Sequence, residues 1–412
     1  MKRRTFIAST SVLALSQLTS GCNSPQASLR LRVLKDSLPA QLRAEFPKEL
    51  KERITIKVEI DEKLQDLFSR LEIWKQQAGK TDTQQQWSLP IIGTKTPPVI
   101  ASLVTLGDSW LEPAIQQNLI QPLTIDELKG WQQLPRLWQD IVRRDRQGQL
   151  SNSGSVWGAP YRWGTTVIAY NREKFKDLGW TPKDWSDLWR PELRDRISLL
   201  DQPREVIGLT LKKLGRSYNT TDLSQVPNLK KELLALHQQV KLYSSNRYLQ
   251  SLILEDTWVA VGWSTDVLAA TSRYRYIEAV VPQSGTALWA DLWVKPVSGV
   301  TQSNLVETGI ASLTQQWIEF CWQPKPARQI SLFSDAASPL LVGVNPTDLP
   351  QDLRDRPLLL PDRSILNQSE FLRPLPKSVV EQYEELWKEM RLSKTAPDLK
   401  IRQRADGRRQ KE

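Results

Sequence analysis

Apolar residues recur along this chain with two periods, and the alternation between them lays out the elements. Residues 29–34 (LRLRVL) alternate apolar and basic, the two-residue period of a half-buried strand. Pro39 then opens a helix carrying Leu42, Phe46 and Leu50. Residues 53–61 (RITIKVEID) alternate again, with Ile54, Ile56, Val58 and Ile60 on one face. In 62–77, Leu64, Leu67, Phe68, Leu71 and Trp74 fall three and four apart, which predicts an amphipathic helix. A polar connection runs to Pro98. Residues 99–105 (VIASLVT) then predict a buried strand, 106–110 a strand-to-helix turn, and 111–118 a helix. Thr124 or Asp126 starts another helix through Trp131. Strand and helix alternate through the first third, the pattern of a mostly parallel α/β layer.

The stretch 158–171, GAPYRWGTTVIAYN, organises the remainder. Its second half, from Thr165 to Tyr170, is β-branched and aromatic and predicts a buried strand. Its first half predicts a loop that brings Tyr161, Arg162 and Trp163 to an edge and breaks at Gly164. The whole is expected to cross between two lobes, with a ligand cleft at its mouth. Asn171 then caps a short helix ending at Gly179. Trp185 and Trp189 stand one helical turn apart. Residues 197–200 predict a strand leading into a helix opened by Pro203 and stopped by Gly215. Residues 222–241 predict a helix, 258–262 a strand, 267–271 a helix and 277–281 a strand. Residues 288–294 (LWADLWV) predict the return crossing, and helices are expected at 305–320 and within 368–394. There is no internal repeat.

A chain of 412 residues with 40% hydrophobic and 25% charged residues holds more than one core. The net charge of +10 sits mostly at the ends: +3 in 1–21 and +4 in 393–412. The body is therefore close to neutral, which argues against nucleic acid. The single histidine, His237, lies in a helical run, and Cys22 and Cys321 are the only cysteines. Histidine-ligated metals and Ser-His-Asp or Cys-His catalysis have no supply of ligands or bases. No metal, no cofactor and no catalytic residue is expected. Cys321 reads as a small buried apolar side chain.

The N-terminus reads as an address. Met1 to Cys22 (MKRRTFIASTSVLALSQLTSGC) has a basic start, a short apolar stretch and a small-residue site. Arg3-Arg4-Thr5-Phe6-Ile7 looks like a twin-arginine export signal. Leu18-Thr19-Ser20-Gly21-Cys22 resembles a bacterial lipobox, which implies cleavage before Cys22 and a lipid on its sulfur, with Thr19 where Leu is usual. Residues 1–21 are then a signal peptide and 22–28 a polar tether. The basic, polar stretch 393–412 reads as a solvated tail. The expected location is periplasmic, lipid-anchored through Cys22.

Four strand-end turns carry acids beside rings: Asp108 with Trp110, Asp201 with Glu205, Asp266 with Trp263, and Asp291 with Trp289. In an open α/β sheet, ligands bind outside the carboxyl ends of the strands. Carboxylates and electron-rich rings suit a flexible organic cation. Each charge-assisted hydrogen bond contributes about 1.5–3 kcal/mol, and each ring face about 0.5–2 kcal/mol. Each acid also has a structural reading. Gln202 as N-cap with Glu205 three residues on would form a capping box. Asp266 and Asp108 sit in first turns, where the helix dipole favours acids. Asp291 has no helix to cap and lies in an apolar strand, so it needs a partner. Trp163, Trp263 and Trp289 stand at expected cleft turns.

Four segments, PYRWGTTVIAYNREKF, WSDLWRPELRDRISLLDQPREVIGLTLKKLGRSYNTTD, VAVGWSTDVLAA and GTALWADLWVKP, closely resemble the spermidine/putrescine-binding proteins of bacterial ABC importers. The resemblance covers about 30–390. It implies an α/β, two-lobed periplasmic-binding-protein fold with crossing hinge strands. Lobe one would be 29–165 with 290–335, and lobe two 166–289 with 336–392. It implies a monomeric, non-enzymatic protein that captures a polyamine-like cation and delivers it to permease subunits in the cytoplasmic membrane. Carried over by position, Asp291 matches the principal amine-binding carboxylate, Trp263 and Trp289 the ring walls, and Glu205 the acid at the other end. Asp201, Asp108, Asp266 and Trp163 complete the candidate set. Gln202 stands where the family commonly has an acid, Lys35-Asp36-Ser37 where it has an aromatic pair, and Ser109 where it has Tyr. Arg162 adds a positive charge near a cation site. The same fold could hold another small ligand, or serve an orphan sensory or structural lipoprotein.

Overall fold

In the computed structural model, residues 28–50, 53–81, 99–297 and 304–393 are described. The export signal, Cys22, the connection before Pro98 and the basic tail lie outside them.

The parallel first layer forms as the pattern predicts. β1 (Ser28–Leu34) pairs in parallel with β2 (Thr55–Asp61) and β3 (Leu103–Gly107). The helix Leu64–Thr81 lays Leu67, Phe68, Leu71 and Trp74 into the core. β2 forms the sheet edge, where Ile60 is left 59% exposed although its alternation suggested a buried face. The organising stretch is not loop then strand. It is one strand, β4 (Ala159–Asn171), buried along its whole length. The other strands longer than two residues are β5 (Ile197–Leu199), β6 (Val240–Tyr243), β7 (Val259–Trp263), β8 (Ile277–Val280) and β9 (Ala287–Pro296). They join one sheet in the order β2-β1-β3-β9-β4-β7-β5-β6, with β8 also on β4.

β4 is the bridge in that order. Its first half, from Ala159 to Thr165, pairs antiparallel with β9, and its second half, from Thr166 to Tyr170, pairs with β7. Residues up to Trp163 pack in one hydrophobic core; Ile168 and Val167 open two others. The return strand β9 enters the first core from Leu288 onward.

The expected placement of 336–392 wholly in the second lobe is corrected. Ala337, Leu341, Leu353, Leu359 and Phe371 pack in the first core, and the chain joins the second from Leu372. The reason is a backbone bridge: Trp163 N–H donates to the Ala337 carbonyl at 2.8 Å, and Ala337 N–H donates back at 2.9 Å. Two helices are also shorter than their patterns. Within 222–241, Asn228 adopts a left-handed conformation (φ 63°), and the α-helix starts after it, at Leu229–Gln239. The terminal helix is Lys377–Ser393, because Pro374 and Pro376 stand before it. His237 is buried, its Nδ1 2.8 Å from the Tyr243 hydroxyl. Cys321 is buried, and burial raises its thiol pKa.

Candidate functional site

The antiparallel register of β4 with its two neighbours determines which side chains meet. Asp291 lies opposite Arg162, Trp289 opposite Gly164, and Trp263 opposite Thr166. Directly opposed residues point to the same face. Arg162, Gly164 and Thr166 therefore share one face with Asp291, Trp289 and Trp263. The adjacent strand β3 ends at Gly107, opposite Asp291, which delivers Asp108 to the same place.

Trp163 faces the other way. It is fully buried and meets Trp138 edge-to-face at 5.2 Å. Its expected role as a cleft wall is corrected: once the stretch is a strand rather than a loop, alternation sends it into the first core. Gly164 does not break the strand. A Cβ there would stand 2.4 Å from Trp289 Cζ2 and 2.5 Å from Ser264 Oγ, so glycine makes room for the Trp289 ring.

Three carboxylates are buried on this face. Asp291 is paired: Arg162 Nε and Nη2 both donate to its Oδ2 at 2.7 Å, and Arg162 Nη1 donates to the Ser334 carbonyl at 3.1 Å. Burial raises the Asp291 pKa while Arg162 pulls it down. Asp108 accepts from Ala290 N–H at 3.0 Å. Burial pushes its pKa to about 6, against the pull of that N–H and of Arg144, and Asp291 adds to the rise. Glu205 makes no capping box, since its N-cap Gln202 offers no side-chain bond. Instead the Thr166 hydroxyl donates to Glu205 Oε1 and Oε2 at 3.2 and 3.1 Å. Burial pushes Glu205 to about 7, and Asp108 contributes to the rise from across the site.

Asp266 stands on the exposed rim and accepts from the Tyr248 hydroxyl at 2.8 Å. The atoms packed around it raise its pKa, with the Tyr248 hydroxyl and Arg162 opposing. Tyr248 also accepts from Trp263 N–H at 3.2 Å and meets the Trp263 ring edge-to-face at 6.1 Å. Trp289 is partly exposed; its Nε1 is buried without a hydrogen-bond partner, and the Arg162 guanidinium lies 5.9 Å from its ring centroid.

Asp201 does not join the group. It is exposed and paired with Arg391 of the terminal helix at 2.8 Å. Its place beside Pro203 in sequence puts it at the mouth of a turn whose outer side faces that helix. Thr166, Tyr248, Arg144 and Asp335 are site residues that the sequence did not single out. Tyr248 had an indirect signal in Gly262, a glycine inside a strand, where a Cβ would fall 1.8 Å from the Tyr248 ring. Asp335 pairs with Arg356 at 3.5 Å and feels the charge of Arg162. Among the described residues, no cluster of His, Cys, Asp and Glu could hold a metal ion, and no helix is long and apolar enough to cross a membrane.

Several known proteins are similar to this chain in sequence, and several solved structures in fold. Spermidine/putrescine-binding periplasmic protein 1 of Haemophilus influenzae is 25% identical over 243 residues, 59% of this chain and 64% of that protein. The putrescine-binding periplasmic protein PotF of Escherichia coli K12 is 29% identical over 210 residues, 47% of this chain and 55% of that one. The matched stretch thus falls short of two thirds of either relative. A crystal structure of the spermidine/putrescine ABC transporter substrate-binding protein PotD from Streptococcus pneumoniae superposes with a TM-score of 0.69 at 20% identity, over 89% of this chain and 99% of that one. The Tp0655 lipoprotein of Treponema pallidum gives 0.58 at 16% identity, over 88% and 99%. These structures share the two-lobed α/β fold. The model of a bacterial extracellular solute-binding protein matches residues 99–369, well over half of the sequence. The chain belongs to the bacterial extracellular solute-binding protein family.

Proposed function

We propose that this protein is the extracytoplasmic ligand-capturing component of an ABC importer and that its ligand is a small polyamine-type cation held between the lobes. One observation carries the reading. Acids from both lobes converge on one face of the crossing strands, beside the Trp289 and Trp263 rings. Two of them, Glu205 and Asp266, have only neutral hydroxyls as side-chain partners. Glu205 is buried, where a carboxylate without a cation is costly, and an ammonium supplies what is missing. Two charge-assisted contacts with ring faces beside them suffice for roughly 8 kcal/mol, a micromolar dissociation constant.

In this reading Glu205, with Asp108 near it, takes the buried ammonium, and Asp266 takes charge at the rim. Trp289 and Trp263 line the ligand's methylenes. Asp291 is taken up by Arg162 and makes no contact with the ligand. The relatives named for putrescine and spermidine binding support the ligand class. Export through the twin-arginine-like start, a lipid on Cys22 and delivery to membrane permease subunits complete the proposal. The chemistry is capture and release, without a catalytic step.

The test is thermal unfolding of the mature protein with putrescine, cadaverine or spermidine. A native-state ligand raises the midpoint with concentration, stabilising the fold by about 2.7 kcal/mol at a hundred times its dissociation constant. A dose-dependent rise with the amines, absent with sodium or neutral amino acids, is the expected result. No rise with any of the three at millimolar concentration overturns the cation reading.

A further inference from the structure

Arg162 is the one residue on the site face that a cation receptor does not call for. All three of its nitrogens are engaged, two on Asp291 Oδ2 and one on the Ser334 carbonyl. The two side chains are only 5% and 3% exposed. The guanidinium lies over the edge of the site beside Trp289. It does there what one ammonium of a bound cation would do, neutralising Asp291 next to an aromatic ring. The other acids are treated differently. Asp108 accepts a backbone N–H and has Arg144 in its field. Glu205 and Asp266 form no ion pair, among the described residues, and accept from neutral hydroxyls, Glu205 from Thr166 and Asp266 from Tyr248 and Thr265. Asp266 accepts from the Tyr248 hydroxyl, and the same phenol feels the charge of Glu205.

We propose that Arg162 is a tethered cation that permanently fills the Asp291 subsite and thereby sets ligand charge and length. The cleft takes an organic dication, one ammonium at Glu205 and the other at Asp266, and offers no seat to a third. The inference rests on the cation-binding reading above. A guanidinium fixed by three hydrogen bonds on two strands and a loop does not leave for a ligand, because leaving would strand a buried carboxylate and a buried guanidinium together. Length selection follows: a triamine that reaches both acids must place its extra ammonium against Arg162 or in water.

The test is titration calorimetry with putrescine, which carries two ammoniums, and spermidine, which carries three. It is run on the wild type, on Arg162→Met and on the double variant Arg162→Met with Asp291→Leu. The wild type binds putrescine more tightly. In Arg162→Met the freed Asp291 receives the third ammonium, and the spermidine-to-putrescine affinity ratio rises about tenfold or more. The double variant removes the pair altogether and keeps the putrescine affinity within about threefold of wild type. An unchanged ratio in a folded Arg162→Met overturns the inference while leaving the cation reading in place. If Arg162→Met does not fold, loss of putrescine binding in the double variant overturns it, since Asp291 then contacts the ligand. If the wild type binds neither amine, the cation reading falls. In that case amine binding gained by Arg162→Met still supports the tethered cation, and its absence ends both.

Discussion

Replacing Glu205 with Gln distinguishes a ligand-binding carboxylate from a structural one by the sign of the effect. Glu205 is 5% exposed, and burial lifts its pKa from an ordinary 4.5 to about 7. The groups around it are the Thr166 hydroxyl from β4, Arg204 on its own helix, Asp108 from the other lobe, and the phenols of Tyr218 and Tyr248. A folded-state value above the unfolded one means that the native chain holds this proton more tightly. Its stabilising contribution is complete below about pH 4.5 and is lost as pH rises through about 7. At 1.36 kcal/mol per pH unit, ionised Glu205 costs the empty fold about 3 kcal/mol at pH 8. Glutamine keeps an oxygen to accept from Thr166 and carries no charge. Glu205→Gln is therefore expected to be more stable than wild type by about 3 kcal/mol at pH 8 and equal to it near pH 4.5. Urea unfolding at pH 4.5, 6, 7 and 8 measures the difference. Putrescine binding should fall in the variant. In the wild type it should weaken about tenfold from pH 8 to pH 6, because the proton on Glu205 must leave first. A variant that is less stable at pH 8, or whose stability differs by the same amount at every pH, would falsify the reasoning. A capping acid behaves in that second way.

Three further substitutions probe the assignment of residues to the site. Asp201→Asn should leave amine binding unchanged and cost under about 1 kcal/mol in chemical unfolding, since it removes one exposed ion pair with Arg391. Gly164→Ala forces a methyl into the Trp289 ring and Ser264; it should destabilise by about 1–3 kcal/mol and weaken binding measured by calorimetry. Trp163→Ala empties a fully buried position and should cost about 3–5 kcal/mol in urea unfolding, while the amine-induced rise in melting temperature persists. Loss of that rise in the folded variant would return Trp163 to the cleft.

The elements were legible where one period ran unbroken, as in the helix Leu64–Thr81 or the run from Ala287 to Pro296. They were least legible at Gly164, where a glycine that makes room for a ring looks like a strand break. That one misreading carried Trp163 to the wrong face, because a loop has no alternation. Asp291 was legible as an acid in need of a partner. Its partner was not, since Arg162 lies 129 residues away and the register of β4 with β9 is set by tertiary pairing. Glu205 fitted a capping box by spacing alone. Only the fold shows that Thr166 on the crossing strand reaches it first. Asp201 and Glu205 are four apart in sequence, yet one meets the terminal helix and the other the site.

In the proposed reading, the division of these acids between the lobes gives the ligand its leverage. Asp108 follows a strand of the first core, and Glu205 begins a helix of the second. The charge of Asp108 raises the pKa of Glu205, the signature of like charges brought together. Apposing the lobes without a counterion therefore works against two ionised carboxylates in a place that excludes water. Asp291 would add a third, but it is paired with Arg162 on the neighbouring strand, and the rest of its charge is felt by Asp108. The arrangement leaves a mismatch that protons relieve at low pH and that a cation relieves at neutral pH. A ligand can shift a conformational equilibrium only by its difference in affinity for the two states. In the proposed reading that difference would come from acids contributed by both lobes, so the charge that is captured would also be the charge that favours the apposed form.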